Sequence, residues 1–462
     1  MAILKEEFIA TMITLLGESL GGRLTASLAG DDALCSVRLN AAKRPLTVDG
    51  DTAVDTVPWC ALGRYLPSRP PFTFDPLFHA GAYYVQEASS MFIAHVLRTL
   101  AGTDAVTYLD VCAAPGGKTT AALDALPDGS FIVANDIVTS RARLLADNIV
   151  KWGNSHVAVT HAAPADFGSM THAFDIVAAD VPCSGEGMMR KDEKAAEQWS
   201  PALVAECAVR QRRIIDDVWN ALRPGGLFIY STCTFNRQEN EEVVEYIVER
   251  YGGEPLAVPV DASWGIIPGL DTALPCYRFL LGITRGEGLF MAAIRKPDAP
   301  RAALPAERGR KVSATPMPAE VRNMLSDIRL TLIAEGDTIR ALPDSHRRLL
   351  ALLAARTKPL VAGLEVATIK GRGKLTPSHS LAMATALDDN AFRRVELDYA
   401  TAIAYLRGEA VTIDAPRGLT IVTRHRMPLG FVNNLGSRAN NMYPKSLRIM
   451  STYAPDVEPH VL

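Results

Sequence analysis

Two cysteines and one aspartate follow apolar segments that have the length and composition of β-strands. Asp180 and Cys183 come directly after residues 174–179, and Cys233 comes shortly after residues 227–230. The carboxyl ends of parallel strands meet at one edge of a sheet, so two thiols and a carboxylate can converge on one pocket. A thiolate is a nucleophile and a carboxyl is a general acid, and the combination suits reaction with an electron-poor ring.

A pyrimidine is such a ring. Its C5 carbon is a poor nucleophile until a thiolate adds to C6, after which C5 resembles an enamine and can attack an electrophilic methyl group. A protonated carboxyl beside the ring N3 would favour the adduct, and Asp180 is placed for that role. The C5 proton must then leave so that the thiol can be expelled, with the help of a second thiolate or a water. These residues alone leave open whether Cys183 or Cys233 attacks.

A glycine turn is the second chemical signal. Residues 106–120 join a short apolar run to Gly116 and Gly117 and then to a helical pattern. Glycines let the backbone turn tightly and approach a ligand, and the free N–H groups of the helix start favour an anionic group. The turn nearly fits the phosphate-binding loop G-x-x-x-x-G-K-[ST], but Cys112 occupies the position of the first glycine.

An acidic residue distinguishes between two kinds of ligand. The next strand, predicted over residues 130–134, ends at Asn135-Asp136. That position is about 20 residues beyond the glycine turn, where nucleotide-binding α/β folds place a carboxylate on the ribose hydroxyls. Asp136 therefore favours a nucleoside ligand over a triphosphate.

These residues need a sheet that brings strand ends together. From residue 106 to about residue 296, strand and helix patterns alternate as in a doubly wound α/β sheet. We predict an N-terminal α/β domain over residues 1–105, a central domain over 106–297 and a Pro- and Arg-rich linker over 298–318. A separate C-terminal region over 319–462 should begin with a helix at 319–332.

Length, hydropathy and cysteine use narrow the class of protein. The 462 residues are enough for two or three domains, and no apolar run reaches the roughly 18 residues of a membrane span. Seven cysteines without C-x-x-C pairs favour neither a disulfide framework nor a metal site. The sequence therefore predicts a cytoplasmic protein without a membrane partner.

Charge is unevenly distributed along the chain. The overall net charge of −3 hides a segment from Arg301 onward of about +8 and a preceding part of about −11. The basic end is the better candidate for nucleic-acid binding, so a chain cut near Arg308 should keep its small-molecule site but bind nucleic acid more weakly and with a flatter salt dependence. Residues 430–443 carry amides, arginine and aromatic rings, which suits either contacts to unstacked bases or a buried turn network.

Three motifs resemble those of the Sun/Nop family of S-adenosylmethionine-dependent RNA cytosine-C5 methyltransferases. They are Asp110-Val111-Cys112-Ala113-Ala114-Pro115-Gly116-Gly117-Lys118-Thr119, Asp180-Val181-Pro182-Cys183-Ser184-Gly185-Glu186-Gly187 and Ser231-Thr232-Cys233-Thr234. Residues 59–91, 188–193 and the Asn-rich C-terminal stretch further resemble the RsmF-like ribosomal RNA branch. The resemblance implies a Rossmann-like methyltransferase sheet, a PUA-like RNA-binding end and small-subunit ribosomal RNA as substrate.

The resemblance also implies roles for individual residues. Cys233 would be the nucleophile, and Cys183 would assist product release. The S-adenosylmethionine site would be lined by Cys112, Ala113, Ala114, Pro115, Gly116, Gly117, Lys118, Asp136 and Asp180. One departure from the family pattern concerns Ala163, where the family often has an acidic residue; either Asp166 substitutes for it or donor binding is weaker.

Two other functions compete with this interpretation. Gly117-Lys118-Thr119, together with Asp180 at the end of an apolar strand, is compatible with a P-loop nucleotide hydrolase. Ala163 and the basic C-terminal segment are compatible with an RNA-binding assembly factor that has a vestigial donor site.

Overall fold

The structure, a computed structural model, describes residues 3–30, 34–43, 55–300, 319–371, 373–459 and 461. The predicted linker therefore lies largely outside the described residues. At the N-terminus, an antiparallel sheet of order β2-β3-β1-β4 follows a long helix that bends at Gly17. The elements are α1 (Glu6–Ala29), β1 (Cys35–Leu39), β2 (Thr56–Val57), β3 (Cys60–Leu66), α2 (Pro76–His79) and β4 (Tyr83–Val85).

The central part of the chain forms a large mixed sheet of order β10-β12-β9-β8-β5-β6-β7-β15, with β11 paired to β12. Its elements are α3 (Phe92–Leu100), β5 (Thr107–Asp110), α4 (Gly117–Ala125), β6 (Phe131–Asn135), α5 (Thr139–Trp152), β7 (Val157–Thr160), α6 (Pro164–Gly168), β8 (Phe174–Asp180), α7 (Glu193–Gln198), α8 (Pro201–Val218), β9 (Leu222–Thr232), α9 (Glu241–Tyr251), β10 (Glu254–Leu256), β11 (Tyr277–Phe279) and β12 (Leu289–Arg295).

Strands β5 to β9 of this sheet pair with one another in parallel. The outer pairings, β12 with β9, β10 and β11 with β12, and β15 with β7, are antiparallel. Helices α3, α4 and α5 pack on one face, and α8 and α9 pack on the other. Parallel strands covered on both faces are largely apolar, as in β6, where residues 131–134 are apolar and all five residues are buried. The sheet confirms the predicted doubly wound α/β class. The strand order reverses between β5 and β8, because the chain passes from β5 outward to β6 and β7 and then crosses back to β8 and β9, and such folds bind ligands at this switch point.

The remaining elements form two further antiparallel or mixed sheets, β13-β14-β16-β17 and β18-β19-β20-β21. The elements of this part of the chain are α10 (Ala319–Arg322), β13 (Leu330–Glu335), β14 (Thr338–Pro343), α11 (Arg347–Arg356), β15 (Val361–Ala362), β16 (Leu364–Lys370), β17 (Lys374–Pro377), α12 (His379–Met383), β18 (Arg393–Glu396), α13 (Tyr399–Leu406), β19 (Gly418–Arg424), β20 (Met427–Asn434) and β21 (Ala439–Asn441). Of these strands, β15 belongs to the central sheet. The predicted helix over 319–332 is wrong beyond Arg322, because Leu330 pairs with Pro343 in a β-ladder.

The region after the linker packs on the central sheet and does not stand apart from it. Strand β15 pairs with β7 at the sheet edge, and the His346 ring stacks on Phe131 of β6 at 5.1 Å between centroids. Helix α11 buries four leucines in the same core as β8 and β9, namely Leu349, Leu350, Leu352 and Leu353. A chain cut near Arg308 would expose this apolar surface, so the expectation of a separate C-terminal region is wrong for residues 346–362.

This packing predicts that a change in α11 destabilises the central sheet. Leu353→Ala should lower the free energy of unfolding by about 2–5 kcal/mol, because it leaves a cavity in that core. The five tryptophans all lie before residue 265, so their fluorescence during urea unfolding reports on the N-terminal and central parts alone. Leu360→Ala, at a side chain that is 41% exposed, is the control. An unchanged tryptophan transition in Leu353→Ala would show that the two parts unfold independently.

Candidate active site

The glycine turn lies at the carboxyl end of β5. Gly116 has a φ of 112°, in the left-handed region that favours glycine, and α4 begins at the next residue. The Thr119 hydroxyl donates to Asp110 Oδ2 at 2.7 Å, which joins the helix start to the strand end. The turn forms one wall of a cleft, and the cleft is lined by Tyr84, Val85, Gln86, Glu87, Ser90, Asp110, Cys112, Ala113, Ala114, Pro115, Gly117, Lys118 and Asp180.

An ion pair joins the turn to β8. Lys118 Nζ lies 2.8 Å from Asp180 Oδ2, and the Ser231 hydroxyl donates to Asp180 Oδ1 at 2.7 Å. Burial on its own would lower the pKa of Lys118, but the charge of Asp180 and its hydrogen bond raise it overall. The lysine therefore stays protonated and is engaged by a carboxylate, whereas in a phosphate-binding loop it would reach a phosphate.

The two predicted thiols are in contact. Cys183 Sγ lies 3.2 Å from Cys233 Sγ, at the ends of the neighbouring parallel strands β8 and β9. The hydrogen bond with Cys233, followed by burial, raises the pKa of Cys183 well above its usual range. Cys183 therefore keeps its proton, and its thiol can donate a hydrogen bond to the Cys233 sulfur.

Asp136 lies at the same edge of the sheet, after β6, but does not line the cleft described above. Its carboxylate accepts from the Val138 N–H at 2.8 Å and pairs with Arg141 at 3.3 Å, and Arg141 also donates to the Ala114 carbonyl at 2.9 Å. The next two side chains, Ile137 and Val138, are 58% and 44% exposed. The loop thus offers a carboxylate beside an apolar surface, which suits a ribose and a flat base.

Ala163 and Asp166 lie at the start of the short helix α6, after β7. Asp166 Oδ2 accepts from the Ala163 N–H at 3.0 Å, so this carboxylate caps its own helix. The structure therefore gives Asp166 a local function, and Ala163 has no carboxylate of its own.

The N-terminal segment supplies one wall of the cleft. The polar-aromatic composition of residues 79–91 is compatible with either a domain junction or a part of the ligand pocket, and the structure places residues 84–87 and Ser90 in the cleft lining. The Tyr84 hydroxyl donates to the Pro115 carbonyl at 2.9 Å, and a Cβ on Gly117 would lie 3.4 Å from Gln86 Cδ. Gln86 is itself held by Arg38, whose Nε donates to Gln86 Oε1 at 2.8 Å. The polar-aromatic composition of residues 79–91 was the only sequence signal, since their contact with the turn depends on the packing of two sheets.

Arg38 fixes this wall to the helix of the glycine turn. Its side chain is fully buried, its Nη2 donates to the Thr120 hydroxyl at 2.5 Å, and its Nη1 pairs with Asp124. The guanidinium also lies over the Trp152 ring, 4.7 Å from the centroid. A buried cation that is bonded on several sides tolerates little movement, so β1 and α4 are held in one relative position.

The donor set matches a cationic nucleoside. Asp110 and Asp180 line the cleft, Asp136 lies beside an apolar loop surface, and the glycine turn lets the backbone come close. S-adenosylmethionine carries an amino and a sulfonium charge, a ribose and an adenine, and each part has a counterpart among these residues. The fold and the site together define a Rossmann-like methyltransferase.

The comparison with known proteins identifies the family. Three family models match the chain: the 16S rRNA methyltransferase RsmB/F over residues 97–295, the N-terminal domain of 16S rRNA methyltransferase RsmF over 4–88, and the methyltransferase RsmF PUA domain over 392–449. The chain is 34% identical to the ribosomal RNA small subunit methyltransferases F of Serratia proteamaculans and Cronobacter sakazakii, covering 92% of this chain and 94% of each relative. It belongs to the RsmF family of methyltransferases and uses S-adenosylmethionine as methyl donor.

Solved structures with low sequence identity share the fold. A methyltransferase homolog protein from Pyrococcus horikoshii has a TM-score of 0.53 and 24% identity, covering 63% of this chain and 95% of its own. NSun6 from the same organism, solved with SFG, has a TM-score of 0.53 and 19% identity, covering 64% of this chain and 99% of its own. Family membership, together with the pairing of Lys118 with Asp180, excludes the P-loop hydrolase and disfavours a vestigial donor site.

Among residues 430–443, the asparagines with described contacts serve the fold. Asn434 Nδ2 donates to the Ala415 carbonyl at 2.6 Å, and Asn441 Nδ2 donates to the Tyr405 carbonyl at 2.7 Å. These contacts support the second of the two sequence interpretations, a turn network within the C-terminal region. Among the helices that the structure describes, none is long and apolar enough to span a bilayer.

The cleft predicts that donor affinity depends on pH. Burial raises the pKa of Asp110 to about 7, so the group changes from acid to carboxylate around neutral pH. The carboxylate attracts the positively charged donor, so the dissociation constant should fall by up to about tenfold from pH 6 to pH 8. Isothermal titration calorimetry with S-adenosylmethionine measures this change. Asp110→Asn should bind weakly with a flat profile; an Asn variant that keeps the wild-type pH dependence would contradict the assignment.

Proposed function

We propose that this protein methylates cytosine C5 in small-subunit ribosomal RNA through a covalent bond between Cys233 and C6 of the base. The observation that carries this proposal is the pair of thiols 3.2 Å apart beside the Lys118–Asp180 ion pair. The relatives' names provide the substrate class, and cytosine C5 is the position on which the family acts. A ribosomal substrate is compatible with the cytoplasmic location that the sequence predicts.

Cys233 is the better nucleophile of the two. Its sulfur can accept a hydrogen bond from the Cys183 thiol, whereas the raised pKa of Cys183 disfavours a nucleophilic thiolate at that residue. Attack on C6 moves electron density onto the ring, and N3 then needs a positive or protonated group nearby. In place of a protonated Asp180, the Lys118 ammonium, which the Asp180 carboxylate holds in position, supplies that contact.

When bound, S-adenosylmethionine would supply the electrophilic methyl group for C5. Cys112 to Lys118 and Asp110 would hold the donor at the turn, with Asp136 near its ribose. A water then takes the C5 proton, the electrons of the C5–H bond form the C5–C6 double bond, and Cys233 leaves C6 as a thiolate. Because Cys183 keeps its proton, its thiol assists this release by donating a hydrogen bond to the departing Cys233 sulfur.

The division of labour between the thiols can be tested by trapping. Cys233→Ala should abolish methyl transfer and form no covalent adduct with RNA. Cys183→Ala should form the bond and release it slowly, so a denaturation-resistant protein–RNA complex should accumulate. Each variant is incubated with total RNA and S-adenosylmethionine and run on a denaturing gel, with Cys276→Ala, at a buried cysteine in another part of the core, as control. An adduct that persists in Cys233→Ala and disappears in Cys183→Ala would reverse the two roles.

The identity of the RNA is tested separately. Bisulfite sequencing of ribosomal and transfer RNA from cells with and without the protein should show one or more cytosines of small-subunit ribosomal RNA that lose protection when the protein is absent. A loss confined to transfer RNA would contradict the proposed substrate while leaving the chemistry intact.

We also propose a division of labour along the chain. Residues 106–297 carry the donor site and the thiols, residues 1–105 complete the cleft, and residues 319–462 bind RNA through the PUA part. The match of the PUA family model to residues 392–449 and the excess of basic residues after Arg301 support the last assignment. Residues 346–362 serve in addition as part of the central core.

A further inference from the structure

Glu186 lies in the loop that carries Cys183 but bonds to the loop that carries Cys233. The side chain is fully buried. Its Oε2 accepts from the Phe235 N–H at 2.6 Å, the Asn236 N–H at 3.0 Å and the Thr234 hydroxyl. These three donors belong to the residues that directly follow Cys233, so one carboxylate oxygen fixes the backbone behind the nucleophile.

The other oxygen of Glu186 is anchored to the body of the protein. Trp199 Nε1 donates to Glu186 Oε1 at 2.9 Å, and Asn236 Nδ2 donates to the same oxygen at 3.0 Å. The Trp199 ring is buried, and Phe8 of α1 packs edge-on against it at 5.1 Å between centroids. The N-terminal helix thus supports the position of Glu186.

Glu239 makes the reciprocal connection. It follows Cys233 in the chain, and its Oε2 accepts from the Ser184 N–H, directly after Cys183, at 3.0 Å. Gln211 Nε2 donates to the same oxygen at 2.7 Å and to the Pro182 carbonyl at 3.1 Å. Each glutamate therefore lies in the loop of one cysteine, Cys183 or Cys233, and accepts hydrogen bonds from the backbone of the loop that carries the other cysteine.

The two loops also touch directly. The Gly187 N–H donates to the Cys233 carbonyl at 2.8 Å, and a Cβ on Gly187 would lie 2.8 Å from that oxygen. Only glycine permits this approach, and the approach brings the segment after Cys183 onto the residue that carries the second thiol.

We propose that Glu186 and Glu239 are positioning residues that together set the 3.2 Å separation of the two thiols. The inference rests on the proposed function for its consequence in catalysis, but the separation itself can be measured without RNA or donor. Loss of either carboxylate lets the loops move apart, so Cys183 no longer shares its proton with Cys233. Both attack and release should then slow, while the donor cleft at β5 stays intact.

Disulfide formation measures the separation. Diamide, a diazene oxidant, accepts two electrons and two protons from two thiols, so the S–H bonds of Cys183 and Cys233 are replaced by one S–S bond and the diazene becomes a hydrazine. Wild type should form this disulfide rapidly, as seen by peptide mapping under non-reducing conditions. Glu186→Gln and Glu239→Gln should form it about tenfold or more slowly, because thiol exchange chemistry requires contact. Glu249→Gln, at an exposed position on α9, is the matched control.

Methyl transfer is the second measurement. Single-turnover methylation should fall by about 10- to 100-fold in Glu186→Gln and Glu239→Gln, in line with a displaced reacting group, while the dissociation constant for S-adenosylmethionine stays within about twofold. Trp199→Phe removes one hydrogen bond to Glu186 and keeps an aromatic ring at that position. It is the milder variant to use if the Gln variants do not fold, and it should slow both disulfide formation and methyl transfer by a smaller factor.

The outcomes separate the two proposals. Wild-type disulfide rates in folded Gln variants, or in Trp199→Phe if the Gln variants do not fold, would overturn the positioning role. Methyl transfer by Cys233→Ala would instead overturn the covalent mechanism and leave the disulfide measurement as it stands. Slow disulfide formation combined with slow methylation and unchanged donor affinity supports both.

Discussion

The parallel pairing of β8 with β9 is the constraint on which the site depends. Asp180 lies opposite Ser231 in the ladder, and the Val181 N–H donates to the Ser231 carbonyl at 3.1 Å. This register places the residues after both strands at the same height on the sheet edge. A shift by one residue would turn the side chains of one strand to the opposite face. The carboxylate and the hydroxyl would then separate, and the thiols that follow them would no longer meet.

Electrostatics at this edge explain why a charged donor and a thiolate can share a small volume. Lys118 compensates Asp180, whereas Asp110, deeper in the cleft, changes between acid and carboxylate around neutral pH because burial raises its pKa to about 7. The cleft thus has a carboxyl group that can ionise when a cation enters. On the thiol side, Cys183 keeps its proton through its contact with Cys233. Of the two thiols, Cys183 is therefore the less suited to act as a nucleophilic thiolate.

The cleft is built from parts that are distant in the chain. Residues 84–90 close over the glycine turn, and Arg38 bonds to Gln86 on one side and to Thr120 of α4 on the other. From beyond residue 345, α11 packs on the far face of the central sheet and β15 extends its edge. This explains why changes near either terminus are expected to reach the donor site. It also shows that a basic C-terminal segment can bind RNA and still be part of the central core, because α11 turns its leucines inward and keeps arginines at both ends.

The sequence by itself determined the sheet class, the glycine turn and the candidates Cys112 to Lys118, Asp136, Asp180, Cys183 and Cys233, whereas Asp110 entered the site only through the structure. Strand ends and glycine turns are local patterns, and the motifs that resemble a known family are contiguous in the chain. Only the tertiary structure decided which groups touch: Lys118 with Asp180, Cys183 with Cys233, Glu186 with the backbone after Cys233. These contacts join residues far apart in sequence, and they depend on strand order, register and the packing of neighbouring sheets. A local sequence pattern does not specify strand order, register or the packing of sheets. For the same reason, the packing of α11 against the central core was not predicted from the sequence.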